Sequence, residues 1–190
     1  MYTMSNIKNL SLKIVSAEKN TITADQSTAF QKYPYVKIVF INNGEGLLTF
    51  KDTSEKVGPN QIVLLNPNID YYWELNPSQY LEVTEIGVHG LEFSHIGEAE
   101  HDFTFYKYDR TDTDSALFTE LLIKELTTKK PGSEEIAKRY IEIILIQLLR
   151  NEEFSIRNSL NKKNHKEIQT VKNFMKVNYH KNITLDDLVE

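Results

Sequence analysis

Four short apolar stretches, separated by turn residues, dominate the first half of the chain and constrain its fold more than any other feature. Each is rich in β-branched and aromatic residues, as strands are. The breaks between them contain Asn, Pro or Gly, and Asn43-Gly44 between two apolar runs predicts a β-hairpin. Strands so short and closely spaced predict a sandwich or barrel over about residues 1–110. The four stretches are YVKIVFI (35–41), GLLTF (46–50), QIVLLN (61–66) and YLEVTEIGV (80–88).

The spacing of apolar residues becomes helical beyond this point, and a helical pair is predicted over residues 111–153. KKPG at 129–132 breaks the pattern, and Ser133 followed by two glutamates is typical of a helix start. The first helix has one apolar stripe, made of Leu117, Leu121, Leu122 and Leu126.

The second predicted helix, from 133 to 150, carries two adjoining apolar stripes. A surface helix needs only one, so two stripes predict burial on two sides. We expect one side to lie on the β-domain and the other to meet a second copy of the chain; the alternative is a helix packed only within its own subunit. The stripes are Ala137, Ile141, Ile144, Leu145 and Leu148, and Ile136, Tyr140 and Ile143. The predicted dimerisation contacts are Tyr140, Ile141, Ile144, Leu145 and Leu148.

The end of the chain has the signals of a further helical domain. Polar residues without a clear period predict a linker over 154–166, and helical spacing resumes over 167–190. Thr184 is a good N-cap for a helix that begins in NITLDDLVE (182–190). Because fewer than two turns of that helix remain, we expect it to belong to a domain that continues past Glu190.

Charge and composition narrow the class of protein. Residues 1–149 carry a net charge of −7, which argues against nucleic-acid binding there, whereas residues 150–181 carry +5. The chain has no cysteine, which excludes disulfides and thiolate chemistry. No apolar run reaches membrane-spanning length and no signal peptide is evident, so we expect a cytoplasmic protein without a membrane partner.

Two stretches of sequence, residues 33–68 and residues 168–190, together resemble AraC-type (AraC/XylS) bacterial transcription regulators. YPYVKIVFINNGEGLLTFKDTSEKVGPNQIVLLNPN (33–68) is similar to the cupin region of that family. IQTVKNFMKVNYHKNITLDDLVE (168–190) is similar to the start of its helix-turn-helix domain. The order of β-domain, helical pair, linker and small helical domain also matches.

The resemblance implies a fold and a function. The fold would be mainly β with α: a cupin-like barrel (double-stranded β-helix, or jelly roll) over 1–110, followed by the helical dimerisation pair. The barrel would bind a small polar effector, a sugar being one candidate, and residues 1–10 would be the arm that family members use in sensing. The homodimer would contact DNA only through the full-length protein, because 167–190 holds just the start of the DNA-binding domain.

The alternative is a metal-dependent cupin enzyme, an isomerase or a dioxygenase. Cupin enzymes hold a metal through a His-x-His pair, a glutamate and a later histidine, but KYPYVK (32–37) has no histidine at the first of these positions. We therefore expect no catalysis and no cofactor. The remaining metal candidate, HGLEFSHIGEAEH (89–101), has histidines six residues apart, which suits neither one helical face nor one strand. Solvated or hydrogen-bonded loop histidines are the simpler interpretation.

Aromatic residues with polar tips bracket the predicted β-domain. Such rings suit a small concave pocket that stacks on a polar ligand, although each of them could equally fill the barrel interior. The pocket candidates are Tyr33, Tyr35, Tyr71, Trp73, Tyr80 and His89.

Overall fold

The computed structural model describes residue 7 and residues 10–26, 29–50, 53–95, 105–109, 114–150 and 154–158. The two helices in this part of the chain are α1 (Asp114–Thr128) and α2 (Ser133–Leu149). Neither is long and apolar enough to cross a membrane. The prediction of a mainly β chain with a helical pair is confirmed. The strands are β1 (Lys13–Thr23), β2 (Val36–Gly44), β3 (Gly46–Phe50), β4 (Ser54–Val57), β5 (Gln61–Leu65), β6 (Tyr71–Glu74), β7 (Tyr80–His89), β8 (Leu91–His95), β9 (Phe105–Asp109) and β10 (Phe154–Asn158).

The described strands form a five-stranded sheet, a three-stranded sheet and a two-stranded ribbon. The first has the order β1-β7-β2-β5-β9, the second β4-β3-β6, and the third pairs β10 with β8. Every ladder is antiparallel. Among the described residues no ladder joins the two larger sheets. The sheets are therefore not closed into the expected barrel, which would need a continuous circle of paired strands.

The five-stranded sheet is covered on both faces. Val39 and Ile41 of β2 pack with the three-stranded sheet, while Ile38 and Phe40 pack with the helices. Because successive side chains of a strand point to opposite faces, the apolar run in β2 supplies both cores. The result is three layers: helices, five-stranded sheet and three-stranded sheet.

The hairpin predicted at Asn43-Gly44 is wrong. β2 pairs with β5 and β7, and β3 pairs with β4 and β6, so the chain passes here from one sheet to the other. Gly44 has φ +85°, and a Cβ built on it would lie 1.9 Å from the carbonyl oxygen of Tyr80. The glycine thus permits a sheet-to-sheet crossing through a positive φ, which is the same property that makes Asn-Gly a hairpin signal.

The helical pair covers the outer face of the five-stranded sheet. In α2, four of the five residues predicted to contact a second copy are buried inside the subunit: Ile141, Ile144 and Leu145 are 0% exposed and Leu148 is 2% exposed. They belong to the core shared by helices and sheet. This stripe therefore lies on the β-domain and not on a second copy; in the adjoining stripe Ile136 is exposed, while Tyr140 and Ile143 are half-buried.

The chain after α2 also differs from the prediction. Residues 154–158, which begin the predicted linker, form β10 and pair with β8 from His95 to Leu91. The hydroxyls of Ser94 and Ser155 are 2.8 Å apart across this ladder.

At the other end of the chain, Ile7 and Leu10 of the predicted arm are buried in the helix-side core. The predicted helices of residues 167–190 lie outside the described residues.

Candidate ligand-binding site

The structure brings together five of the six pocket candidates between the two larger sheets. Ring centroids are 5.3 Å apart for Tyr33 and Tyr35, and 5.3 Å apart for Tyr35 and His89. Tyr71 lies 6.5 Å from Tyr33 and 6.1 Å from Trp73. Tyr33 and Tyr35 are half-buried, whereas Tyr71 and Trp73 are buried. We call these five residues the aromatic cluster; it runs from solvent-reaching rings to fully enclosed ones.

A buried ion pair lies beside the aromatic cluster. Lys37 on β2 and Glu85 on β7 are 5% and 7% exposed, and the Lys37 ammonium donates to Glu85 Oε1 at 2.8 Å. Asn20 Nδ2 on β1 donates to Glu85 Oε2 at 3.0 Å. The ammonium also lies 4.3 Å from the ring centroid of Tyr33, within the range of a cation–π contact. Three neighbouring strands therefore fix a charged group inside an apolar sandwich.

Gln31 links Tyr33 and Tyr71 within the aromatic cluster. Its backbone exchanges two hydrogen bonds with Tyr71, of 2.7 Å and 3.1 Å. Its side-chain oxygen accepts from the Tyr71 hydroxyl at 3.1 Å and from the Tyr33 hydroxyl at 3.3 Å. Desolvation raises the pKa of the Tyr71 phenol well above its ordinary value, and the negative charge of Glu85 adds to the effect. Tyr71 is thus held neutral and in a fixed orientation.

Two further features of the aromatic cluster concern Trp73 at its inner end and Tyr35 beside β7. The indole N–H of Trp73 is buried and has no hydrogen-bond partner among the described residues. Gly87 leaves room for the Tyr35 ring, since a Cβ there would lie 2.7 Å from Tyr35 Cε2. Burial raises the pKa of Tyr35, and the positive charge of Lys37 opposes that rise.

Tyr80, the sixth candidate, lies elsewhere. It begins the ten-residue strand β7, whose other end is His89, and it is 41% exposed. Its hydroxyl accepts from Asn43 Nδ2 at 3.2 Å. Tyr80 is therefore part of the sheet-to-sheet crossing at Gly44 and not of the aromatic cluster.

Four residues at this site are not predicted from the sequence: Lys37, Glu85, Asn20 and Gln31. A signal was present for the first two, because each interrupts an apolar strand. Lys37 is two residues before Val39, and Glu85 is two residues after Val83, so strand alternation places both charges on the inter-sheet face. Asn20 and Gln31 carry no comparable signal, since polar residues are ordinary in an edge strand and in a loop.

The metal candidate in HGLEFSHIGEAEH is only partly within the described residues. His89 contacts Tyr35 through its ring. Glu98 and His101 lie outside the described residues, and of His95 only the backbone in β8 is described. Among the described side chains there is no group of three or more His, Cys, Asp or Glu that could hold a metal ion.

Comparisons with known proteins give structural likeness without a sequence match. No family model matches the chain, and no curated protein sequence matches it. Among solved structures, a cupin-like protein from Thermotoga maritima is 14% identical with a TM-score of 0.35, over 40% of this chain and 65% of that one, less than two thirds of its length.

Vibrio cholerae ToxT, an AraC-family regulator, is another structural neighbour. Bound to an unsaturated fatty acid, it is 12% identical with a TM-score of 0.48, over 91% of this chain and 66% of that one. Bound to a naphthalenyl butenoic acid, it is 12% identical with a TM-score of 0.49, over 93% and 70%. At these values the likeness decides neither family nor function.

Proposed function

We propose that this chain is the effector-sensing and dimerisation region of a bacterial AraC-type transcription regulator of the cytoplasm. In this proposal a small polar molecule binds at the aromatic cluster and the Lys37–Glu85 pair. The observation that carries it is the buried pair itself, placed beneath tyrosines that reach solvent. The sequence resemblance of residues 33–68 and 168–190 supplies the regulator part of the proposal.

Stability alone does not account for the ion pair. Removing two charges from water costs several kcal/mol per ion, and well-packed apolar residues in place of a buried pair are often neutral or stabilising by about 1–4 kcal/mol. Val39 and Val63 show that apolar residues pack well on this face. A charged pair in that setting supports the proposal of a ligand that contacts it.

The cluster offers complementary groups to a hydroxylated ligand. Glu85 accepts hydrogen bonds, and the Lys37 ammonium has three donors, of which one is given to Glu85. Tyr33 and Tyr35 present ring faces on which the apolar face of a sugar can stack. A sugar is therefore our first candidate for the effector.

Regulation would follow from a difference in ligand affinity between two arrangements of the dimer. Lys37, Glu85 and Asn20 come from three neighbouring strands of the sheet that carries the helical pair. A ligand that changes their hydrogen bonds alters the sheet on which α1 and α2 rest. In the full-length protein, the helical pair would pass this difference to the DNA-binding domains that follow.

The experiment is a titration of the purified chain by isothermal calorimetry. The probes are L-arabinose, D-glucose, D-glucuronate and an unsaturated fatty acid. We expect a sugar or sugar acid to bind, and the double variant Lys37→Met/Glu85→Leu to bind it at least about tenfold more weakly, or about 1.4 kcal/mol. Thermal unfolding of the double variant should show a fold as stable as that of the original chain.

Two controls separate loss of a site from loss of the fold. The single variant Lys37→Met should be strongly destabilised, by about 3–5 kcal/mol, because Glu85 remains buried and unpaired. Tyr80→Phe, at the far end of β7, should leave probe binding unchanged. Equal affinity of the double variant and the original chain would refute the proposed site.

A further inference from the structure

A cavity of about 460 Å³ lies on the opposite face of the five-stranded sheet, beneath the first half of α1. β1, β2 and β7 form its floor and α1 its roof, and we call it the helix-side cavity. It contains none of the aromatic cluster, because the sheet separates the two spaces. On β1, Lys19 pairs with Glu120 of α1 on the helix side, whereas the side chain of Asn20, a residue that also lines the cavity, bonds Glu85 between the sheets.

The helix-side cavity exists because α1 does not fill the space above the sheet. The buried residues of α1 are Ser115, Thr119 and Leu122, whereas α2 buries larger side chains such as Ile141, Ile144 and Leu145. Protein interiors are close-packed, and an unfilled space loses the dispersion energy of its lining. A volume of about 460 Å³ falls within the range of small-molecule sites.

The wall of the helix-side cavity is polar, and hydrogen bonds hold its buried hydroxyls in place. Thr84 and Thr119 are 3% and 4% exposed, so both hydroxyls are held inside the protein. The Thr84 hydroxyl accepts from Asn42 Nδ2 at 2.8 Å, and the Thr119 hydroxyl donates to the Ser115 carbonyl at 2.6 Å. Because a hydroxyl has one donor and two acceptor positions, Thr84 can still donate and Thr119 can still accept.

The charges at the rim favour a cation over an anion. Lys19 is neutralised by its ion pair with Glu120. Glu82 also lines the cavity, and among the described residues it has no ion-pair partner. The rim therefore has a net charge of −1, which attracts an amine and repels a carboxylate or a phosphate.

We propose that the helix-side cavity binds a small hydroxylated amine, with its amino group at Glu82 and its hydroxyls at Thr84 and Thr119. Phe40, which is buried in the helix-side core, supplies the apolar floor for the carbon skeleton. The ligand would contact α1 and the sheet together, and so would stabilise the packing of the helical pair. This site is separate from the aromatic cluster and does not rest on the function proposed for it.

The test uses D-glucosamine as probe, with D-glucose and D-gluconate as neutral and anionic comparisons. Amide NMR spectra of the whole chain are recorded at about 10 mM probe, which saturates a site of millimolar Kd. We expect glucosamine to shift the amides of Thr84 and Thr119, glucose to shift them less, and gluconate to leave them unchanged. Unshifted amides at both threonines would overturn the proposal.

Two variants and a control sharpen the test. Ala116→Leu fills the cavity from α1 with a good helix former, and should abolish the shifts without lowering the thermal midpoint. Glu82→Gln keeps the shape but removes the charge, and should weaken glucosamine binding at least about tenfold while glucose is unaffected. The double variant Lys37→Met/Glu85→Leu, which changes the other face of the sheet, should still show the glucosamine-induced shifts of the Thr84 and Thr119 amides. Persistence of the shifts in Ala116→Leu would also overturn the proposal.

Discussion

Tyr71 is the residue whose ionisation reports most directly on the inter-sheet space. Its phenol is buried, hydrogen-bonded to Gln31 and close to the charge of Glu85, and burial together with that charge raises its pKa. In the unfolded chain a tyrosine loses its proton near pH 10. Above that pH the unfolded state holds fewer protons than the folded state, so the stability that Tyr71 contributes falls as pH rises.

We predict a steeper loss of stability above pH 10 in the original chain than in Tyr71→Phe. Above pH 10 the free energy of unfolding of the original chain should fall by about 1.4 kcal/mol per pH unit relative to that of Tyr71→Phe, because Tyr71 releases one proton on unfolding. Urea denaturation at pH 8, 9, 10 and 11 measures both proteins, and the other tyrosines cancel in the comparison. Parallel stability curves would contradict a raised pKa at Tyr71.

Residue types predicted the aromatic cluster but not the charges beside it. Rings with polar tips suit either a ligand pocket or a barrel interior, so the sequence could predict that Tyr33, Tyr35 and Tyr71 lie together, while their role in binding stays a prediction. Lys37 and Glu85 are 48 positions apart, and only the pairing of β2 with β7 brings them together. A long-range ion pair therefore needs the strand order, which the local pattern does not contain.

At the scale of elements, the crossing between the two sheets depends on Gly44. We predict that Gly44→Ala destabilises the protein by clearly more than about 1–2 kcal/mol, the usual penalty for the left-handed conformation alone. The additional cost comes from the Tyr80 carbonyl, which lies 1.9 Å from where the new Cβ would be. Because the obstacle is backbone, the sheet itself would have to move.

Two other glycines provide matched controls for that variant. Gly132 has φ +84° and nothing within 4 Å of a built Cβ, so Gly132→Ala should show the conformational penalty alone. Gly58 has no positive φ and only Glu45 Cγ at 3.9 Å, so Gly58→Ala should be neutral or slightly stabilising. The urea midpoint should be highest for Gly58→Ala, lower for Gly132→Ala and lowest for Gly44→Ala. Equal urea midpoints for Gly44→Ala and Gly132→Ala would show that the clash with the Tyr80 carbonyl adds nothing to the conformational penalty.

Strands in the middle of the sheet were predictable, and edge strands were not. The stretches 46–50 and 61–66 match β3 and β5 to within one residue, because buried strands form apolar runs. β1 was missed although it has eleven residues, since KIVSAEKNTIT at the sheet edge is half polar. β6 was missed as a strand because YYWE is only four residues long.

The described part of the molecule is organised around the five-stranded sheet, which has a candidate site on each face. Lys37 and Glu85 lie between the sheets, while Thr84 lies beneath α1, one position from Glu85 on the same strand. Alternation along β7 thus directs neighbouring residues to different sites. Because the same strands carry both faces, we propose that a ligand-induced change in strand spacing at the aromatic cluster also changes the packing of the helical pair.

A homodimer would have to use a different face of α2 from the one predicted, because four of the five predicted contact residues are buried inside the subunit. The adjoining stripe is only partly covered within the subunit: Ile136 is 43% exposed and Ile143 is half-buried. Tyr140 packs on the edge of the helix-side core, with its ring 6.3 Å from that of Phe118 on α1. We propose that this stripe meets its copy in a homodimer. A Lys in the apolar centre of such an interface has no partner, so Ile136→Lys should weaken dimerisation at least about tenfold.

Glu135→Lys is the matched control, because it introduces the same side chain one residue away on a solvent-exposed face. It should lose only a favourable interaction with the first turn of α2, about 0.3–1 kcal/mol, and still dimerise. Sedimentation velocity of the three proteins over a range of micromolar concentrations measures the association. If the original chain is a monomer at high micromolar concentration, the dimer proposal is wrong. If Glu135→Lys dissociates as readily as Ile136→Lys, the interface is elsewhere on the helical pair.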